Sequence, residues 1–326
     1  MVFSGDTVFS GDIARTDFFG DSRKEEMAKK IHDSITEKIL TLGDGVILCP
    51  AHGAGSVCGS EITDHPYTTV GYERATNPVL RMGRQEFVSA RKTESLYMPP
   101  YFRAMERHNR DGAPLQHPPV LRMLNVSELD GFRNSGCQLL DIRAPADFAG
   151  GHIPGSISIW RGGISSFACW FLNFEDPIIR IDDFNQNIEQ VILQLFRMGY
   201  DNVAGILAMG IVAWYKSGHE IGTTGVCSVR KLNEQLDSST PFVLDVRDIR
   251  NRRVVGHIRN SHHIYIGELP MHLDKIPKDQ PVFVYCDAGF KAGIAASILA
   301  RNHVQGVTNV LGGMTAWKQA GFKIEH

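Results

Sequence analysis

One pattern in this chain occurs twice. Leu139-Leu140-Asp141-Ile142-Arg143 returns as Val243-Leu244-Asp245-Val246-Arg247, and Gly151-His152-Ile153 returns 105 residues later as Gly256-His257-Ile258. Tyr200-Asp201-Asn202-Val203 is answered by Val307-Thr308-Asn309-Val310. Each copy then carries a tryptophan, Trp214 or Trp317, followed by Gly218 or Gly321. Four landmarks in one order commit the chain to two copies of one fold, each about a hundred residues long.

Within each copy, short β-rich runs alternate with helical patterns, which predicts an α/β domain around a parallel sheet. Pro281 to Tyr285 reads as a buried strand. Ile294, Ala295, Ile298 and Leu299 fall on one helical face of the segment 292–302. The copies are expected at 120–222 and 223–326. Residues 1–97 share none of the landmarks and form a separate region, with strand-like runs at Thr7–Phe9 and Gly45–Leu48 and a helical stretch from Arg23 to Leu40. The proline-punctuated segment 98–119 reads as a linker.

Charge narrows the function classes. The 34 basic and 36 acidic residues leave a net charge of −2, without the basic excess of a nucleic-acid binder. No apolar run reaches membrane-spanning length. The six cysteines, at 49, 58, 137, 169, 227 and 286, follow no framework spacing and include no C-x-x-C pair. That pattern argues for reduced thiols and a cytoplasmic location, and against a thiolate zinc site.

The chemistry points to Cys286-Asp287-Ala288-Gly289-Phe290-Lys291, between a strand end and a helix start. A tight loop there turns successive N–H groups inward, and the helix adds the positive end of its dipole. Both favour thiolate, the nucleophilic form of sulfur. Gly289 gives the loop its backbone freedom, and Lys291 supplies a point charge for an anionic donor. On the loop alone, Cys286 reads equally well as a small buried residue.

The landmarks decide between these. Residues 226–326 resemble the rhodanese family, through the Asp245-Val246-Arg247 strand end, Gly256-His257-Ile258, the six-residue loop, and Asn309-Val310-Leu311-Gly312-Gly313-Met314-Thr315-Ala316-Trp317. The resemblance implies that Cys286 is the nucleophile. It would take a sulfane sulfur as a persulfide, hold it against the amides of residues 287–291, and pass it to a thiol. Two departures stand out: Lys291 where the family often has arginine, which gives up a bidentate fork, and no Pro-Gly after Ile258. The first copy resembles the same family but has Ile181-Asp182-Asp183-Phe184-Asn185-Gln186-Asn187 at the loop position, without cysteine, and is expected to be catalytically silent.

In residues 1–97, Phe3 to Phe9 with Asp6 and Pro50 to Ser56 with His52 resemble the metallo-β-lactamase fold, nearest to persulfide dioxygenases fused to rhodanese domains. That family holds one iron(II) with two histidines and an aspartate. Asp6 matches the aspartate, and His52 matches a later histidine that the dioxygenases do not use for iron. The family's His-x-His-x-Asp-His motif is missing, so the resemblance implies the C-terminal part of a longer fusion, without stoichiometric iron or dioxygenase activity. Apolar runs near Val8 and Ile47 are then expected to lack cover, which allows a homodimer through that face.

The expectation is an α/β protein, with a partial αββα metallo-β-lactamase region and two three-layer rhodanese-like domains. It would act as a sulfurtransferase on thiosulfate or a low-molecular-weight persulfide with thiol acceptors, using no cofactor for the transfer and no nucleic-acid or membrane partner. Rival readings are a metal-dependent oxygenase or hydrolase in residues 1–97, and a pair of docking modules with an unreactive Cys286.

Overall fold

The computed structural model describes every residue except 54, 55, 57, 60, 61, 95, 113–119, 186 and 187. The described chain divides into two compact units, Met1–Met98 and Pro99–His326. No described helix is long and apolar enough to cross a membrane. Parts of the expected loops, Ala54-Gly55 and Gln186-Asn187, and the linker stretch 113–119 with its His117, lie outside the described residues.

The first unit has three strands, β1 (Val2–Gly5), β2 (Ile47–Pro50) and β3 (Thr68–Thr69), with β2 central, parallel to β1 and antiparallel to β3. Its helices are α1 (Lys24–Ser34), which continues as a π-turn over Ile35–Ile39, α2 (Val70–Thr76) and α3 (Arg84–Thr93). The strand expected at 7–9 falls instead at 2–5. Gly5, at φ 54°, turns the chain out of the strand, and Thr7 N–H closes that turn on the Ser4 carbonyl at 3.0 Å. Val8 then meets Ile13 through an isolated bridge. Exposure was expected near both Val8 and Ile47, but Val8 is buried. It packs with Ile13, Ala28, Ile35, Leu48, Val70 and Phe87 in a core that α1 and α3 cover. Ile47 is exposed, and so is Phe3 at 82%.

The second unit opens with α4 (Tyr101–Asp111) and contains two five-stranded sheets. The first is built from β4 (Met123–Leu124), β5 (Gln138–Asp141), β6 (Ile157–Ser158), β7 (Ile178–Ile181) and β8 (Val203–Leu207). Its helices are α5 (Val126–Asn134), α6 (Pro145–Gly150), α7 (Ile164–Phe171), α8 (Ile188–Arg197) and α9 (Ile211–Lys216). The second is built from β9 (Gly225–Ser228), β10 (Phe242–Asp245), β11 (Ser261–His263), β12 (Val282–Tyr285) and β13 (Val307–Leu311), with α10 (Val229–Ser238), α11 (Ile249–Val255), α12 (Phe290–Arg301) and α13 (Gly313–Gln319). Strand orders are β4-β8-β7-β5-β6 and β9-β13-β12-β10-β11, the same topology twice, and every pairing is parallel.

The repeated landmarks are the joints of this fold. Asp141 pairs with Arg143 at 2.6 Å, and Arg143 Nη2 donates to the Gly151 carbonyl at 2.7 Å. In the second repeat Asp245 pairs with Arg247 at 2.7 Å, and Arg247 Nη2 donates to the Gly256 carbonyl at 2.7 Å. A buried charge needs a partner and satisfied donors; the arginine meets both demands and ties the sheet to the Gly-His turn. Trp214 Nε1 donates to the Glu220 carbonyl at 2.9 Å and Trp317 Nε1 to the Lys323 carbonyl at 3.0 Å, so each tryptophan closes the tail of its own repeat.

The repeats also share a core. One buried cluster joins Leu140, Ile157 and Ile178 of the first with Leu244, Val284, Ile294 and Leu299 of the second. Ser297 Oγ on α12 accepts the Ser158 N–H of β6 at 3.0 Å.

Candidate active site

Cys286 follows β12, the strand held between β10 and β13 at the centre of the second sheet. Its residue is 1% exposed, and its Sγ accepts the Gly289 N–H at 3.1 Å. Gly289, at φ 97°, is the N-cap of the twelve-residue α12, so the helix start and this N–H converge on the sulfur. A hydrogen bond of this kind strengthens when its acceptor carries charge.

The C-terminal Gly-Gly segment holds the loop from behind. Met314 N–H donates to the Cys286 carbonyl at 2.8 Å and Thr315 N–H to the Asp287 carbonyl at 3.0 Å. Gly313 sits at φ 48° directly against these carbonyls, where a Cβ would strike the oxygen of Cys286. Asn309 is 1% exposed and donates from Nδ2 to the Gly289 carbonyl at 3.0 Å. The Asn309-Val310-Leu311-Gly312-Gly313 stretch is thus a brace for the nucleophile loop.

At the mouth, Lys291 Nζ lies 2.7 Å from Asp287 Oδ2. The point charge expected for an anionic donor is shared with the loop's own carboxylate. Phe290 is 44% exposed, and its ring lies 5.1 Å from that of Trp160, which belongs to the first repeat. The first repeat therefore lends an aromatic wall to the second repeat's loop. Ala288 accepts the Gly312 N–H at 3.3 Å.

The loop of the first repeat is built alike and filled differently. Asp182 follows β7 as Cys286 follows β12, and its carbonyl accepts the Ile211 N–H at 2.8 Å as that of Cys286 accepts Met314. The Asp182 carboxylate takes the Asp183 N–H at 2.8 Å and meets Arg161 at 3.1 Å and Arg180 at 3.3 Å. The side chain of Asp182 is itself the anion in this loop. Burial pushes the neighbouring Asp183 carboxyl up. Cys169 lies in α7, outside the loop, where burial pushes its thiol up to about 11.

In the first unit, Asp6 and His52 stand just past the ends of β1 and β2, with Nε2 3.3 Å from Oδ1. Cys58 joins them, the three potential ligand atoms lying within 4.8 Å of one another. Sequence reasoning missed Cys58, although it lies only six residues beyond His52 in the sequence. Among the described residues this cluster offers one imidazole, one carboxylate and one thiol. That does not fit an iron(II) site of two imidazoles and a carboxylate. Also missed were Trp160, which no spacing connects to a loop 130 residues away, and Asp287 as the partner of Lys291, which the i, i+4 spacing allowed.

A rhodanese-like domain is what this fold and loop define twice over. The Rhodanese-like domain family matches residues 125–217 and 228–320, more than half of the chain, and the chain belongs to that family. Among its relatives is thiosulfate sulfurtransferase GlpE of Coxiella burnetii, 32% identical over 76 residues, which are 23% of this chain and 70% of that protein. Hydroxyacylglutathione hydrolase GloC of Haemophilus influenzae is 36% identical over 81 residues, 24% of this chain and 30% of that protein. A solved metallo-beta-lactamase from Staphylococcus aureus is similar over 63% of this chain and 56% of its own, at 30% identity and a TM-score of 0.53. The chain spans 29% of the length of an uncharacterized Mycobacterium leprae protein, ML0493, with 38% identity over 80 residues. Two rhodanese-like domains, with similarity to a metallo-β-lactamase as well, make this an α/β chain of the rhodanese-like family.

Proposed function

We propose that the chain transfers sulfane sulfur from thiosulfate or a low-molecular-weight persulfide to a thiol through Cys286. The observation that carries this reading is the Cys286 sulfur at a strand end, accepting the N-cap amide of α12. In the first step the Cys286 thiolate attacks the outer sulfur of the donor. A new S–S bond forms, the donor's own S–S bond breaks, and sulfite or a thiolate leaves. In the second step an acceptor thiolate attacks the outer sulfur of the Cys286 persulfide, and Cys286 leaves as thiolate. Each step exchanges one S–S bond for another, so no external oxidant, metal or cofactor enters the balance.

The Gly289 amide suits the negative charge that moves between sulfurs, as preorganised donors do for other anionic intermediates. The Phe290–Trp160 wall supplies apolar contact for the body of a donor or acceptor. Cys286→Ser is expected to abolish transfer from thiosulfate to cyanide and from glutathione persulfide to a thiol, and Cys169→Ser to leave both at wild-type rates. Transfer by the Cys286→Ser variant at the wild-type rate would overturn the assignment.

A further inference from the structure

A cavity of about 620 Å³ opens between the two repeats, at the end of α12 remote from Cys286. His152 and Ser156 line it from the first repeat, Glu220 and Thr223 from the connecting segment, and Arg301 and Gln305 from the end of α12 and beyond. Its volume is in the range of sites for small organic ligands. The twelve residues of α12, about 18 Å of helix, separate it from the sulfur chemistry.

The polar groups on its walls are incomplete in a specific way. His152 is 4% exposed and stacks on Phe148 with ring centroids 3.9 Å apart. Its Nδ1 lies 2.9 Å from the Phe148 carbonyl oxygen, which can only accept, so the ring hydrogen sits on Nδ1. Burial, with Arg143 nearby, lowers the pKa of the ring and keeps it neutral. Nε2 is therefore a bare acceptor, and no described residue donates to it. Arg301 and Glu220 are unpaired among the described residues, a cation and an anion on different walls of one cavity.

A simple anion would answer Arg301 but leave Glu220 unmatched and meet a histidine with no hydrogen to give. A simple cation would leave Arg301 unmatched. A ligand with both charges answers all three groups. We propose that this cavity binds a short peptide with free termini, its ammonium group on Glu220 and His152 Nε2 and its carboxylate on Arg301. A single amino acid would leave most of the volume empty, whereas two or three residues span it and bring peptide groups to Ser156, Thr223 and Gln305. The site is independent of the sulfur-transfer assignment, since it includes none of the residues around Cys286.

The test is calorimetric titration of the full chain with triglycine, N-acetyl-triglycine and triglycinamide. Triglycine is expected to bind with one site per chain, and blocking either terminus to weaken binding about tenfold or more, as loss of a charged hydrogen bond does. Arg301→Gln should weaken triglycine about tenfold and leave triglycinamide unchanged. Glu220→Gln should weaken triglycine likewise and leave N-acetyl-triglycine unchanged. Both positions are exposed, so unchanged melting temperatures and sulfur transfer are expected of both variants. Absence of triglycine binding at millimolar concentration, binding of either blocked peptide as tight as that of triglycine, or full binding by both variants would overturn the proposal.

Discussion

Gly313 and Gly210 occupy the same place in the two repeats, and replacing each by alanine separates the stability of the fold from the geometry of its chemistry. Gly313 has φ 48° and Gly210 φ 60° with ψ −151°, backbone conformations that cost an alanine about 1–3 kcal/mol. A Cβ at 313 would also lie 2.9 Å from the Asp287 carbonyl oxygen and closer still to that of Cys286. At 210 it would lie 2.9 Å from the Asp183 carbonyl carbon and strike the Asp182 oxygen. Relieving either overlap costs about another 1–2 kcal/mol. Each variant is thus expected to lose about 2–5 kcal/mol, a fall in melting temperature of roughly 5–20 °C for a unit of this size. The activities should diverge. At 313 the alanine pushes directly on the nucleophile loop, and a displacement of about 1 Å there costs on the order of 100-fold in kcat/KM. At 210 it pushes on Asp182, which has no sulfur to misplace. Thermal unfolding by circular dichroism and thiosulfate:cyanide transfer, both well below the variants' melting temperatures, give the comparison. Equal loss of activity in the two variants, or wild-type kcat/KM in Gly313→Ala, would refute the reasoning.

Three further outcomes are expected. Asp287→Asn frees Lys291 from its 2.7 Å partner; a partly exposed pair of this kind is worth about 0.2–1 kcal/mol, so steady-state assays should show KM for thiosulfate falling by up to about fivefold, and a rise would contradict the electrostatic role. His152 and His257 both have pKa values lowered from 6.5, with burial the chief cause. Below that value the unfolded chain takes up protons that the native state refuses, so stability is full above about pH 6.5 and is lost as pH falls further. Melting temperatures should drop between pH 7.5 and 5.5, less steeply in His152→Gln, and an identical slope in that variant would exclude His152 as a contributor. Finally, elemental analysis after anaerobic purification is expected to find iron well below one per chain, and glutathione persulfide to cause no oxygen uptake; one iron per chain with persulfide-dependent uptake would overturn the ligand count at Asp6, His52 and Cys58.

The legible parts of the fold were those where one local residue does one local job. Asp245 and Arg247 are two residues apart because the arginine must neutralise the carboxylate at its own strand end. Cys286, Gly289 and the helix after them belong to one continuous turn, and their relation survives in the sequence. What was hidden depends on chain segments meeting from afar. Trp160 meets Phe290 only because the repeats share a core, and neither residue carries a periodic signal of that meeting. Asp6 meets His52 through the parallel pairing of β1 and β2 across more than forty residues, and the Cys58 carbonyl is held by the Arg15 N–H at 3.2 Å. The β1 boundary was misplaced for a different reason. Thr7-Val8-Phe9 has the better strand composition, but Gly5 bends the chain before it, and one left-handed glycine outweighed three β-favouring side chains.

The shared core has a consequence for how such a chain can evolve. A duplicated domain that loses its nucleophile is ordinarily dispensable, and drift should erode it. Here Leu140, Ile157 and Ile178 help to bury Val284, Ile294 and Leu299, the hydrophobic underside of the strand and helix that hold Cys286. Deleting the first repeat would strip that underside bare, so selection on the repeat that carries Cys286 also preserves its partner. The loop at Asp182 is free to change its chemistry, while the faces behind it are not. The duplication has become a single heritable unit, whose two halves are kept for different reasons.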